Sequence, residues 1–278
     1  MTISTEPLAR SFWRVNIPQI GFNTPFILKG ILAVSALHLA WYRPDRKEFY
    51  TGLAFQHHNA ALAQALPLIA NIDMGKRRQL VSVQHPHPRG PTDFLLSENS
   101  AVPDWLYLFR GVRALIESMG SMLRSSSISF LFEEGKKIHY HWLSLDYDSE
   151  GFRELQTNIQ SSVADEAKRD TLFEAIDSLK KSFALANDSS LSDGNRSRGV
   201  FVWLYKISDS FIGLVGAGDS EALCVLAFFC VLLRRLDYLW WIESWGIDLI
   251  ERIYNRLSDT YKLWIRWPTE EVGWVPIY

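Results

Sequence analysis

Apolar residues recur at intervals of three and four along most of the 278-residue chain. No segment shows sustained alternation of apolar and polar residues bounded by turn residues. The first spacing places side chains on one face of an α-helix, whereas alternation marks a half-buried strand. We therefore predict an all-α fold, a multi-helix bundle of stacked antiparallel helices with no sheet.

The first two predicted helices form a hairpin. Thr24 and Pro25 supply an N-cap and a first-turn proline, and the helix that follows ends near Arg43. Asp45 is predicted to cap the second helix, which is expected to end at Pro67. The apolar stripes run through Phe26, Ile27, Gly30, Ile31, Val34, Leu37 and Trp41 on the first helix and Phe49, Leu53, His57, Ala60, Ala61 and Leu66 on the second.

Further helices are predicted over residues 103–125, 165–186, 198–215, 219–235 and 236–257. In the last of these, Trp240, Trp241, Ile247, Ile250 and Tyr254 are expected to face inward. The most apolar stretch, residues 222–233, would span roughly 18 Å as a helix, well short of the roughly 30 Å core of a bilayer. It is predicted to be a buried helix, and no membrane span is expected.

Two zones lack helical periodicity. Residues 68–102 combine a basic cluster with several prolines, and residues 187–198 are rich in Ser, Asp, Gly and Asn, which is typical of a polar linker. Neither zone has the character of a clean domain boundary. We therefore predict a single domain over residues 1–278 that contains an irregular segment at 68–102.

Composition excludes several classes of function. The chain has 29 basic and 31 acidic residues, a net charge of -2, which leaves no basic excess for gripping a phosphate backbone. Direct binding to DNA is therefore not expected. Two cysteines are too few for a disulfide framework and favour a reducing intracellular compartment. The first ten residues do not have the pattern of a signal peptide.

Histidines suggest metal binding at two places, and both are better explained otherwise. His85 and His87 alternate with prolines, which hold the backbone extended and point successive side chains apart. His139 and His141 precede two aspartates, but a spacing of two residues puts both rings on one face only in a strand. We predict no metal site and no cofactor.

The remaining candidates for chemistry also favour structural roles. Cys224 and Cys230 lie about 240° apart around a helix axis, so they are expected to be apolar core residues. In GLVGAGDS, residues 213–220, Gly216 and Gly218 are expected to form a turn before Asp219 caps the next helix. Motifs for nucleophilic or metal-assisted catalysis are missing from the sequence, so no enzymatic activity is predicted.

The last third of the chain is dense in aromatic residues. They could form a bulky core, or they could line a cavity that takes an apolar ligand. Periodicity does not separate these two interpretations. The residues are Phe228, Phe229, Tyr238, Trp240, Trp241, Trp245, Tyr254, Tyr261, Trp264, Trp267 and Trp274.

Five blocks, in order from about residue 10 to residue 275, resemble the C-terminal regulatory domain of fungal zinc-binuclear-cluster transcription factors. The nearest subgroup is the sterol uptake control regulators. The blocks are FILKGILAVSALHLAWYRPDRKEFYTGLAFQHHNAAL, DWLYLFRGVRALI, VWLYKISDSFIGLV, ALCVLAFFCVLLRRLDYLWWIESWGIDLIERIYNRL and WIRWPTEEVGW.

This resemblance implies an all-helical domain that acts in the nucleus and controls genes of lipid or secondary metabolism. It also implies that a sterol or another apolar ligand binds between the C-terminal helices and shifts the population of conformations. The partners expected are a second copy of the chain or other transcription proteins. The candidate ligand-binding residues are Phe228, Phe229, Trp241, Trp245, Ile250 and Tyr254. The alternative is a ligand-free helical scaffold for dimerisation.

The sequence departs from the family in two ways. The DNA-binding module of the family needs six thiolates around two zinc ions, and this chain has two cysteines. The family also has an apolar helix where this chain reads GKRRQLVSVQHPHPRGPTDF.

Overall fold

The structure, a computed structural model, describes residues 12–70 and 129–276, with the backbone alone at residues 66–70, 130 and 131. Every regular element in these two ranges is helical, which confirms the predicted all-α class. The predicted helix at 103–125 and most of the irregular segment, residues 71–102, lie outside the described residues. The chain divides into two compact units, Met1–Pro86 and His87–Tyr278.

The first unit contains a helical hairpin, as predicted. A π-helical turn at Phe12–Asn16 leads into its helices, and a 3-10 turn at Pro44–Arg46 joins the last two. The helices are α1 (Ile17–Asn23), α2 (Pro25–Tyr42) and α3 (Lys47–Ala70).

Two predicted boundaries of α3 are wrong. Asp45 does not cap the helix; it lies in the 3-10 turn, where its Oδ1 accepts a hydrogen bond of 3.1 Å from Nε of Arg43. The helix also continues through Pro67 to Ala70. Because Pro67 lies in the last turn, its missing N–H removes one helical hydrogen bond near an end that is already short of partners.

The hairpin buries small residues rather than the predicted apolar stripes. Small side chains let two helix axes approach closely, which explains why the alanine face of α2 is the one that is buried. The buried residues are Ala33, Ala36 and Ala40 of α2 and Ala54 of α3. Val34, Leu37 and Trp41 are between 40% and 44% exposed, and Phe49 is 63% exposed. The predicted inward orientation of these four residues is therefore wrong.

Helix α2 is also long and apolar enough, by length and composition, to cross a membrane, and 17% of it is buried. Core helices of soluble proteins and signal sequences meet the same criteria. That the chain has no membrane span stays a prediction.

In the described part of the second unit, other helices pack around one central helix, α9. Helix α9 contacts α5, α6, α8, α10, α11 and α12, and every residue from Glu221 to Leu233 is buried. The predicted buried helix at 222–233 is confirmed. The helices are α4 (Ser129–Ser144), α5 (Glu150–Ser162), α6 (Glu166–Asn187), α7 (Asp193–Lys206), α8 (Asp209–Gly216), α9 (Ser220–Arg234), α10 (Trp245–Arg256), α11 (Asp259–Trp264) and α12 (Arg266–Val272).

Side-chain caps begin several of these helices. The Asp165 carboxylate accepts hydrogen bonds from the backbone N–H groups of Ala167 and Lys168, and Asp219 accepts one from Ala222. The cap at Asp219 was predicted, and the helix predicted over 165–186 begins at the residue after Asp165. In the turn before Asp219, Gly218 has a φ of 71°, as expected, whereas Gly216 is the last residue of α8.

Three predicted segments of this unit are wrong. The predicted helix at 198–215 is two helices, α7 and α8, which lie at 83° to each other, and Ser208 caps the second one. More than half of the predicted linker at 187–198 is helical, because α6 ends at Asn187 and Ser192 caps α7. The predicted helix at 236–257 begins only at Trp245, and residues 235–244 form turns, so Trp240 and Trp241 lie outside it.

Candidate functional site

The six predicted ligand-binding residues lie in unit 2 and differ in burial. Phe228 and Phe229 on α9 and Ile250 on α10 are at most 1% exposed. Trp245 and Tyr254, also on α10, are half-buried, and Trp241, in the turns before α10, is 37% exposed. The set therefore extends from the core to the surface.

Phe229 packs in the core against α7. Its ring stacks on the indole of Trp203 with a centroid distance of 4.6 Å. Nε1 of Trp203 donates a hydrogen bond of 2.9 Å to the carbonyl oxygen of Ala175 on α6, so the one polar atom of this buried indole is satisfied. Phe229 of α9 thus packs against an indole of α7 that is itself hydrogen-bonded to α6.

Phe228 belongs to a different group, the aromatic cluster of Phe152, Phe183, Phe228 and Trp267. Its ring centroid lies 5.0 Å from those of both Phe152 and Trp267. Phe152 and Phe183 meet edge to face at 5.2 Å. These distances fall in the range of favourable aromatic pairs.

The other aromatic members of the set have separate partners. Trp241 stacks on Phe201 of α7 at 5.8 Å. Tyr254 meets Trp274 edge to face at 5.0 Å, and Nζ of Lys262 lies 5.0 Å from the centre of the Tyr254 ring. The structure therefore distributes the predicted residues over at least three packing groups, and their role in ligand binding stays a prediction.

An open cavity of about 430 Å³ lies elsewhere on unit 2. It is lined by four polar residues and one aromatic residue, and it includes none of the six predicted residues. The lining residues are Gln156, Thr157, Gln160, Ser161 and Phe173.

A half-buried polar network around the buried Glu221 joins α6, α9 and α11. Nζ of Lys168 lies 2.5 Å from Oδ2 of Asp219 and 2.9 Å from Oε2 of Glu221. The hydroxyl of Tyr261 donates a hydrogen bond of 2.7 Å to Oε1 of Glu221, which is 7% exposed. The network thus supplies the buried carboxylate with both a cation and a hydroxyl donor.

The network also sets the protonation of its members. Burial opposes ionisation of Glu221, but the hydrogen bonds from Tyr261 and Lys168 outweigh it and lower the pKa of the carboxyl. Burial likewise opposes the charge on Lys168, and the hydrogen bonds to Asp219 and Glu221 raise its pKa. Burial and the bond to Glu221 raise the pKa of Tyr261 to about 12. At neutral pH the network therefore holds the Lys168 ammonium, the Glu221 carboxylate and the neutral phenol of Tyr261.

Sequence reasoning found one member of this network, Asp219, as a helix cap. Lys168 and Glu221 are 53 residues apart, and Glu221 and Tyr261 are 40 residues apart. A charged residue in the first turn of an otherwise apolar helix was the available signal at Glu221.

The two histidines of α4 have unlike surroundings. Nε2 of His141 lies 2.7 Å from Oδ2 of Asp188, and the hydrogen bonds from Ser190 and His141 lower the pKa of Asp188 to about 2. The His139 ring stacks on Trp142, and its Nδ1 is buried with no hydrogen-bond partner. Burial, followed by the charge of Lys206, lowers the pKa of His139. The helix places the two rings on different faces, as the spacing argument expects.

Cys224 and Cys230 are free and buried, which confirms them as core residues. Burial raises the pKa of both thiols, so both are protonated at neutral pH. Within residues 12–70 and 129–276, no group of three or more His, Cys, Asp or Glu side chains could hold a metal ion. His85 and His87 lie outside the described residues.

Comparison with known proteins points to the class of fungal transcription factors through one distant relative. No family model and no solved structure matches the chain. A Zn(2)-C6 fungal-type transcription factor of Gibberella zeae is 21% identical to it over 286 aligned positions, which cover 96% of the chain and 57% of the relative. The chain thus spans little more than half the length of that protein. The similarity supports the resemblance to fungal zinc-cluster transcription factors and gives no support to the sterol uptake subgroup.

Proposed function

We propose that this chain is the regulatory part of a fungal transcription regulator of the zinc-cluster family. The observation that carries the proposal is the similarity to the Gibberella zeae factor along 96% of the chain. The all-α architecture agrees with what the resemblance implies. The chain acts in the nucleus through contacts with a second copy of itself or with other transcription proteins, without catalysis. Its balanced charge supports a role that does not involve direct contact with DNA.

The finer part of the proposal is that the activity responds to an apolar ligand, such as a sterol, and that the target genes belong to lipid or secondary metabolism. The density of aromatic residues in the last third of the chain supports an apolar ligand. Binding would act by favouring one helical arrangement over another.

A ligand-free scaffold is the second candidate. It is favoured by the burial of Phe228, Phe229 and Ile250, which pack in the core of unit 2. In that case the aromatic residues stabilise the fold, and the chain only provides a surface that its partners contact.

A reporter experiment separates these possibilities. The full chain is fused to an unrelated DNA-binding domain, and transcription from a matching promoter is measured in yeast with normal and with depleted sterol. A change in transcription relative to the DNA-binding domain alone is expected, and its absence would contradict a regulatory role. A response to sterol depletion indicates sensing, whereas a constant effect indicates the scaffold.

A further inference from the structure

The two described ranges differ in how many large apolar side chains they expose. Twelve of the eighteen such side chains lie in residues 12–70, although that range is the shorter one. The buried apolar side chains of the same range are Phe12 and four alanines. Alanine side chains bury little area, and small units with so small a core commonly gain stability by oligomerisation. The hairpin of α2 and α3 is therefore short of buried apolar surface.

One flank of α2 has the spacing of a helix-packing surface. Leu28, Leu32, Ser35 and Leu39 follow one another at intervals of four, three and four residues, the spacing of core positions in a coiled coil. We call these four residues the leucine seam. Leu28 is half-buried, and Leu32 and Leu39 are exposed. Oγ of Ser35 donates a hydrogen bond of 2.8 Å to the carbonyl oxygen of Ile31, so the one polar side chain of the seam can be covered without losing its partner.

The opposite flank of α2 is less suited to being covered. At about 100° of rotation per residue, Leu37 and Leu39 point about 160° apart, on either side of the buried alanines. The flank of Leu37 also carries His38, whose ring stacks on Trp41 at 6.1 Å. The leucine seam is therefore the flank of α2 without an ionisable group.

The size of the hairpin indicates what can cover this flank. Helix α2 has 18 residues. It is therefore about 27 Å long, and two packed helices are about 20 Å wide, so one side of the hairpin projects an area of about 500 Å². The accessible area is larger because side chains make the surface uneven, and a stable interface buries about 800 Å² on each partner. The occupant must therefore extend along the whole side, as a second hairpin does and a small molecule does not.

Resting on the function proposed above, we propose that two copies of the chain pair through the leucine seam and the adjoining side of α3. The two hairpins form a four-helix bundle about a twofold axis. On such an axis the same surface faces itself, so leucines from one copy meet leucines from the other. The pairing supplies the apolar burial that the hairpin lacks by itself.

A membrane surface is the other class of partner for an apolar flank, and two observations favour a second copy instead. Helices that lie on membranes are rich in Lys and Arg, whereas Lys29 is the one basic residue of α2 apart from His38. Helix α2 also packs against α3, and the buried residues of the two helices are alanines. Close helix contacts of this kind are common in bundles of helices.

The first test places a charge in the seam of the full chain. Leu39→Glu is compared with Leu37→Glu, because both leucines lie on α2 and are 41% and 44% exposed, respectively. Analytical ultracentrifugation is expected to find a wild-type dimer at micromolar concentration. A twofold interface buries the new carboxylate twice, so Leu39→Glu is expected to raise the dissociation constant of the dimer by more than about tenfold. Leu37→Glu is expected to leave it unchanged. A monomeric wild type, or equal effects of the two substitutions, would overturn the proposal.

The second test uses uncharged substitutions and covers the case that Leu39→Glu does not fold. The melting temperature of the wild type is expected to rise with chain concentration, because association stabilises the folded state. The double variant Leu32→Ala, Leu39→Ala is expected to lose this dependence, whereas Val34→Ala, Leu37→Ala is expected to keep it. All four positions are exposed and alanine favours helix, so both variants are expected to fold. A wild-type melting temperature that does not change with concentration would overturn the proposal.

The third test separates the pairing from the function on which it rests. A monomeric chain that still changes transcription in the reporter fusion would overturn the pairing and leave the regulatory role. A dimer that depends on Leu39 but leaves transcription unchanged would refute the proposed function and support the seam. A monomeric wild type that sediments with vesicles of phosphatidylcholine and phosphatidylserine would overturn the proposal in favour of a membrane surface.

Discussion

Helices α2 and α9 are both apolar, yet they are buried to very different extents. Helix α9 is buried on every side from Glu221 to Leu233, whereas α2 buries three alanines and leaves Val34, Leu37 and Trp41 more than a third exposed. The two helices show that apolar spacing predicts a helix more reliably than it predicts the buried face. The face depends on what packs against it, and here the small side chains allow α2 and α3 to approach each other.

The largest expected difference between the two helices concerns their large side chains. Phe229→Ala on α9 removes a fully buried ring that stacks on Trp203, so it is expected to lower the free energy of unfolding by about 3–5 kcal/mol. Leu37→Ala on α2 is expected to cost less than about 1 kcal/mol. Urea denaturation of the full chain measures both. Equal losses would mean that the exposed stripe of α2 is covered in solution.

The second difference concerns charge. Lys168→Met leaves two carboxylates in the polar network without their cation, and a loss of about 3 kcal/mol is expected. The matched change in the first unit is Arg43→Met. Arg43 pairs with Asp45, which is 61% exposed, so no measurable loss of stability is expected. The double variant Lys168→Met, Glu221→Gln should recover part of the stability. Failure of the second substitution to recover any would contradict the role assigned to Glu221.

How much of the fold could be predicted from the sequence depends on how far apart along the chain the interacting residues lie. The cap at Asp219 and the start of α2 at Pro25 involve neighbours within four residues, and both were predicted correctly. The bend between α7 and α8 was missed, although Ser208 provided a local signal.

The aromatic cluster could not be predicted in the same way. Its members come from α5, α6, α9 and α12, and residues 150–162 and 266–272 were not predicted to be helical. Side-chain spacing within one helix carries no information about rings on another. The same reason explains why the six predicted ligand-binding residues, placed on the C-terminal helices by the family resemblance, lie in separate packing groups.

The third comparison is the effect of a Gly→Ala substitution on the free energy of unfolding. A loss is expected in the second unit and a gain in the first. A β-carbon at Gly246 of α10 would lie 2.8 Å from the backbone nitrogen of Arg234 and the carbonyl oxygen of Cys230. Gly246→Ala is therefore expected to cost about 1–3 kcal/mol through overpacking. At Gly30 of α2 a β-carbon meets nothing within 4 Å, so Gly30→Ala is expected to gain about 0.5–1 kcal/mol from helix propensity. Thermal unfolding distinguishes the two signs, and a loss at Gly30 would indicate a close contact on that face.

The smallest expected effect is the contribution of His139 to the pH dependence of stability. The pKa of His139 in the folded chain is lowered by burial, with a contribution from Lys206 on α7, below the value of about 6.5 that an unfolded chain has. Above about pH 6.5 the residue is neutral in both states. As the pH falls below that value, the unfolded chain takes up the proton more readily than the folded chain, so the free energy of unfolding decreases.

The measurement is the difference between wild type and His139→Gln in urea denaturation from pH 7.5 to pH 5. His139→Gln leaves the contact between His141 and Asp188 in place, so acid effects on that pair cancel in the difference. The wild type is expected to lose more stability than the variant on acidification. His58→Gln, at an exposed position of α3, is the control and should follow the wild type throughout. A difference that grows toward high pH would reverse the sign and show that the folded state favours the charged form of His139.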